Sequence, residues 1–193
     1  AVLALASSAG SNGQSDASTG RYAPGSTFKI ATALALVRQG YTPDTLVSCT
    51  PTTTVDGWPF KNYSDFPSGQ VGRIPLKDAI ASSCNTALIN EYAKVSGDDL
   101  RAAAASLGVG TDYDAGFPVF YGEVPQPDSQ PKKGQELIGQ GGVLASPLAM
   151  AGLAASVAAD RTVVPWLVES ARPTSTATPL TPAEGAALRT LMS

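Results

Sequence analysis

The chain has 193 residues, 43% of them hydrophobic and 15% charged, with a formal net charge of -3 and no histidine. One domain with a sizeable core is expected at that length, and the acidic balance leaves no basic footprint for nucleic acid. The missing histidine excludes a Ser-His-Asp triad, and two cysteines, Cys49 and Cys84, cannot make an ordinary zinc site without it. No metal or cofactor is predicted, and no apolar stretch approaches the length of a membrane span.

In chain order, Ala1 to Ser7 is apolar and short. It lacks a basic start, so it reads as a buried strand rather than the tail of a signal peptide. A polar loop, Ser7 to Gly20, leads to Pro24-Gly25, which breaks the incoming chain and lets a helix begin near Ser26. From Phe28 to Val37 only Lys29 and Thr32 are polar, so this helix is predicted to be buried nearly all round. Asp56-Gly57 between Thr52–Val55 and Trp58–Asn62 signals a hairpin. Helices are predicted from Pro75 to Ser82, from Asn85 to Val95, and from Leu100 to Leu107 behind Asp98-Asp99. Gly108 to Glu136, with its prolines and no clean period, reads as a long loop packed by Tyr113, Phe117, Phe120 and Tyr121. Ser146-Pro147 opens a helix reaching about Ala159, and the Val163–Val168 run reads as an edge strand because of Pro165. Ala171 to Pro179 is linker-like, and Thr181-Pro182-Ala183-Glu184 is a capping box for the last helix.

Ser26-Thr27-Phe28-Lys29 carries the chemistry. A serine hydroxyl is a weak nucleophile until a base takes its proton. At i,i+3 on a helix, Ser26 and Lys29 share a face, and burial favours the neutral amine that can act as that base. Thr32 continues the same stripe. A capping serine with a lysine snorkelling to solvent is the bland alternative, and a bare Ser-x-x-Lys does not decide between them.

The run Tyr22-Ala23-Pro24-Gly25-Ser26-Thr27-Phe28-Lys29-Ile30 resembles the acylated-serine motif of the penicillin-binding protein transpeptidase domain. Ser82-Ser83-Cys84-Asn85-Thr86-Ala87-Leu88 is similar to that family's Ser-x-Asn motif. Ile138-Gly139-Gln140-Gly141, followed by Ala145 to Ala151, is similar to its Gly-Gln-Gly segment and the next helix start. Three motifs in order make a specific match where any one would be weak. Val55-Asp56-Gly57-Trp58 and the spacing look most like the class B, low-affinity methicillin-resistance type.

The resemblance implies an α/β fold, the serine β-lactamase and penicillin-binding transpeptidase fold, as a helix-rich body with its antiparallel sheet only partly represented. No lysine here is followed by Thr-Gly or Ser-Gly, the family's third motif. The expectation is therefore a single truncated transpeptidase domain over 1–193, incomplete at both ends. It implies a D,D-transpeptidase that forms a serine acyl-enzyme from D-Ala-D-Ala stem peptides and is acylated by β-lactams. The catalytic set is Ser26, Lys29, Ser83 and Asn85, with Ser83 and Asn85 also binding substrate. Partners would be stem peptides, β-lactams and other cell-wall synthesis proteins, on the outer face of the bacterial cytoplasmic membrane.

Read on their own, Ser83 and Asn85 are capping groups at a helix junction. Asn62 is taken as structural. A serine β-lactamase would need a water-activating glutamate, which Glu136-Leu137-Ile138 does not match; a β-lactam sensor or a non-catalytic relative stays open. An exported domain permits a Cys49–Cys84 disulfide, with two reduced buried thiols as the alternative.

Overall fold

The computed structural model describes residues 1–193. Its helices are α1 (Asp16–Thr19), α2 (Lys29–Arg38), α3 (Leu76–Ala81), α4 (Asn85–Ile89), α5 (Gly97–Ser106), α6 (Gln130–Glu136), α7 (Pro147–Ala158) and α8 (Pro182–Leu191). Four short strands, β1 (Leu46–Cys49), β2 (Thr52–Val55), β3 (Trp58–Lys61) and β4 (Gly72–Pro75), form two separate antiparallel pairs, β1 with β4 and β2 with β3. None of the helices is long and apolar enough to cross a membrane.

The buried helix is α2. Phe28, Ala31, Ala33, Leu34, Ala35 and Leu36 have no exposed surface, and α5 and α8 pack directly on this helix. Each fully buried leucine or phenylalanine there contributes about 1.5–3 kcal/mol of transfer free energy. With its apolar sides covered, the helix is a fixed platform for the residues at its amino end.

The predicted hairpin forms as β2–β3, with Asp56 and Gly57 both at positive φ (50° and 79°). That pair of left-handed residues gives the tight turn whose twist matches the strands. Ser96 rather than an aspartate caps α5, with Asp99 completing a reciprocal box, and Thr181 with Glu184 does the same for α8. The aromatic residues of the 108–129 segment do pack it. Tyr121 is fully buried, donates to Pro165 O at 2.6 Å and meets Tyr113 edge-on, while Arg21 lies over the Phe120 ring.

Five expectations are corrected. Ala1 to Ser7 is not a strand: Leu3 is 96% exposed and the only backbone tie is Val2 N to Trp166 O. Val163–Val168 is extended but pairs with no strand either; Leu167 N donates to Ala115 O. Strand propensity yields a strand only where a partner offers a ladder of donors and acceptors, and none of the four strands lies beside these runs. The loop ending at Glu136 contains α6, opened by Pro131 in its first turn, and the polar Ser7–Gly20 stretch holds the single turn α1. Asn85–Val95 is helical only to Ile89, beyond which Glu91, Tyr92 and Lys94 close tighter i to i-3 bonds. An apolar cleft of about 390 Å³ lies among Ala1–Ala4, α7 and Trp166 and contains none of the predicted catalytic residues.

Candidate active site

Ser26 sits in a 3-10 turn, Gly25–Phe28, that runs directly into α2. In such a turn residues three apart stack one above the other, so Ser26 is exposed at the rim while Lys29 lies beneath it, 2% exposed. Gly25 positions the serine from the other side. Its N–H donates to Gly139 O at 3.0 Å, and a Cβ on Gly139 would stand 2.2 Å from Gly25 O. Only glycine permits that approach, which gives the Gly139-Gln140-Gly141 segment a physical role behind the nucleophile. Tyr22 and Ala145 exchange two backbone hydrogen bonds, and Thr32 donates to Leu137 O at 2.8 Å, so the residues flanking that segment hold both the chain entering the Ser26 turn and α2 itself.

Lys29 Nζ donates to Ser83 O (2.8 Å), Ser83 Oγ (3.0 Å) and Asn85 Oδ1 (2.8 Å). All three ammonium donors are satisfied, yet no carboxylate pairs with the charge. Burial therefore lowers the Lys29 pKa to about 8. At pH 7 that leaves about a tenth of the lysine neutral, roughly 300-fold more than an unperturbed lysine. The Ser83 hydroxyl in turn donates to Ser26 Oγ at 2.9 Å. The sequence predicts Lys29 within reach of both hydroxyls. The structure instead routes the contact from Lys29 to Ser26 through Ser83.

Ser83 and Asn85 owe their orientation to residues behind them. Ser83 adopts φ 56°, a left-handed conformation that turns the chain sharply between α3 and α4. Cys84 is buried and bonded to Cys49, so the side chain between the two polar residues is anchored on the opposite side. The capping role expected of Asn85 falls to Asn62. Buried at the end of β3, Asn62 Oδ1 accepts from Asn85 N (2.8 Å) and Thr86 N (3.1 Å), and its amide donates to Thr50 O. The Asn85 side chain is thereby free to accept from Lys29 and to donate to Lys61 O. Sequence reasoning identified Asn62 as structural but not its task. The signal for that task was its place at the hairpin end, level with the Ser83 junction.

One buried acid is unexplained by this cluster. Glu136, at the end of α6, is fully buried and neither carboxylate oxygen has a hydrogen-bond partner. Burial pushes its pKa up to about 7, against partial offsets from Lys132 and Arg101 and reinforcement from Asp128. The packed faces of α4 and β2 bring no titratable side chain to it. The folded chain thus holds a proton that the unfolded chain, at 4.5, releases, so stability falls as pH rises from about 4.5 through 7 and then levels off. Glu136→Gln should remove this slope, with wild type less stable at pH 8 than at pH 4.5 by on the order of 3 kcal/mol more than the variant. Urea midpoints at the two pH values check it; parallel midpoints in both proteins would show that Glu136 keeps an ordinary pKa.

The chain matches the family model of the penicillin binding protein transpeptidase domain over residues 1–185. It is 34% identical over 155 residues to peptidoglycan D,D-transpeptidase PbpA of Mycolicibacterium smegmatis, covering 77% of this chain and 31% of that protein. It superposes on the imipenem acyl-enzyme complex of penicillin-binding protein A from Mycobacterium tuberculosis with a TM-score of 0.81 at 29% identity, over 93% of this chain and 44% of the other. A structure describing how a peptidoglycan synthase complex coordinates polymerization and crosslinking matches with a TM-score of 0.74 at 27% identity, over 92% of this chain and 33% of that one. The chain therefore spans less than half the length of each of these relatives.

Proposed function

Because the chain belongs to the penicillin-binding protein transpeptidase domain family, we propose that it carries the acylating machinery of a peptidoglycan D,D-transpeptidase. The observation that carries the reading is the buried, carboxylate-free Lys29 hydrogen-bonded through Ser83 to an exposed Ser26. Neutral Lys29 accepts the Ser26 proton along that path, and Ser26 Oγ attacks the carbonyl between two D-alanines of a stem peptide. The C–N bond breaks, Ser83 passes the proton to the departing amine, and D-alanine leaves an ester on Ser26. Asn85, which shares its carboxamide between Lys29 and Lys61 O, holds the substrate amide. The Ser26 N–H supplies one oxyanion donor. β-Lactams acylate the same serine and remain there, as in the imipenem complex of the relative.

The partners of this reading are stem peptides and other cell-wall synthesis proteins, and its place is the outer face of the cytoplasmic membrane. Glu136 supports transferase over β-lactamase chemistry, because a carboxyl sealed from solvent has no access to a hydrolytic water. Labelled penicillin is the test. In the intact protein it should attach to Ser26 at one per chain, and Ser26→Ala should carry no label; stoichiometric labelling of Ser26→Ala would overturn the assignment.

A further inference from the structure

Glu136 lies outside the catalytic cluster, yet two holds on the back of the nucleophile hang from it. It ends α6, and the chain turns back at once: Gly139 N donates to Glu136 O and Gln140 N to Gln135 O, both at 3.0 Å. Leu137, one residue on, offers the carbonyl to which the Thr32 hydroxyl of α2 donates at 2.8 Å. Gly139 offers the carbonyl that takes the Gly25 N–H at 3.0 Å, immediately before Ser26. The position of Ser26 therefore depends on how this turn sits on α6.

The Glu136 side chain runs beneath the turn. It is fully buried, both carboxyl oxygens lack a hydrogen-bond partner, and a Cβ on Gly141 would stand 3.1 Å from Glu136 Cγ. Gly141, at φ 68°, thus closes over the side chain with backbone alone. The charged groups that face Glu136 are Lys132 in α6, Asp128 just before it, and Arg101 on α5. Lys132 is held by Asp128 at 3.3 Å and Arg101 by Asp98, so neither cation is free to take a second carboxylate. Lys133 lies over the Tyr92 ring, and α4 and β2 bring no titratable side chain. A neutral carboxyl fits this place. A carboxylate has to gain water or a cation, and the closed turn admits neither.

We infer that Glu136 is a proton-controlled brace of the nucleophile: protonated, it lets the Gly139–Gly141 turn close against Gly25, and on losing its proton to water it loosens that turn and slows acylation of Ser26. This control rests on the reading of Ser26 as the acylated residue. Burial raises the Glu136 pKa to about 7, so the brace changes state across neutral pH. It works against Lys29, whose neutral form grows with pH. The wild-type rate still climbs, because Lys29 gains more than the brace loses, but less steeply than with a permanently neutral side chain in place of Glu136.

The test is acylation of the intact protein by a fluorescent penicillin near pH 6 and near pH 8.5, in wild type and in Glu136→Gln, whose amide stands in for the protonated acid throughout. The two proteins should acylate alike at the lower pH, and the variant about threefold faster at the higher, a modest cost for a displaced nucleophile. Amide hydrogen exchange at Gly25 reads the brace itself. Corrected for intrinsic base catalysis, its protection should fall about threefold or more between the two pH values in wild type and hold steady in the variant. Equal rates for the two proteins near pH 8.5 would overturn the proposal, as would unchanged Gly25 protection in wild type. A variant slowed equally at both pH values would make Glu136 a packing residue only. If Glu136→Gln does not fold, the wild-type exchange profile alone decides. A wild type that takes no penicillin label at any pH would instead remove the acylation reading, and this control with it, whatever the exchange at Gly25.

Discussion

Lys29→Arg should lower the rate at which penicillin acylates Ser26 by about 10²–10⁴-fold, the range set by loss of a general base. The substitution keeps the positive charge, but a guanidinium stays protonated at any working pH and cannot accept a proton. Lys29 is the residue whose burial, without a carboxylate, brings its pKa to about 8. Wild-type acylation should accordingly rise with pH through about 8, where Lys29 is half neutral, and level off above it, and the arginine variant should lose that rise. Stopped-flow acylation with a fluorescent penicillin, with circular dichroism to establish folding, gives both results. A folded arginine variant that acylates at a near-native rate would reduce Lys29 to a packing residue.

The second large effect is expected at Asn62, which never touches Ser26 or Lys29 directly. Asn62→Ala leaves the N–H groups of Asn85 and Thr86 without their acceptor, while Thr50 O keeps the Thr86 hydroxyl as its donor. Each buried group so stranded costs about 1–3 kcal/mol, and since the turn can relax partway, a loss of about 2–4 kcal/mol is expected in urea unfolding. Acylation should also slow, because Asn85 and Ser83 lose the support that aims them at Lys29. Asn62→Asp retains the acceptor oxygens and should recover most of the stability. Equal stability for wild type and the alanine variant would mean that the Ser83 turn is held by the disulfide alone.

How far the sequence could be read depended on whether the information was local. The β2–β3 hairpin was legible because Asp56-Gly57 states its own turn, and α8 because its capping residues Thr181 and Glu184 lie three positions apart; α5 was placed as a helix, but its cap is Ser96 and not the aspartates. The β1–β4 pair was not legible, since Cys49 meets Gly72 across the intervening hairpin and β4 contains both a glycine and a proline, which strands disfavour. Ala1 to Ser7 erred in the opposite direction: its composition suits a strand, but strand identity belongs to a pair of segments and not to one.

The candidate site divides the same way. Ser26 and Lys29 are three apart, and their shared face followed from helix geometry. Ser83 and Asn85 lie more than fifty positions away along the chain and reach Lys29 through a left-handed turn. Periodicity could not place them there; the resemblance to a known motif did. The relay through Ser83, in place of a direct bond from Lys29 to Ser26, was invisible to either kind of reading because it depends on side-chain positions a fraction of a residue apart.

The Cys49–Cys84 bond has a consequence for how the chain responds to being cut. The exposed stretch from Tyr63 to Gln70 lies between the two cysteines, in the place where proteases nick folded domains. A single scission there separates the peptide that holds Ser26 and Lys29 from the peptide that holds Ser83 and Asn85. The sulfur bridge keeps the two pieces as one covalent molecule, and the hydrogen bonds of Lys29 cross the break. The nicked protein therefore migrates as a single species until a reductant is added, and its four polar residues remain assembled across a backbone that is no longer continuous.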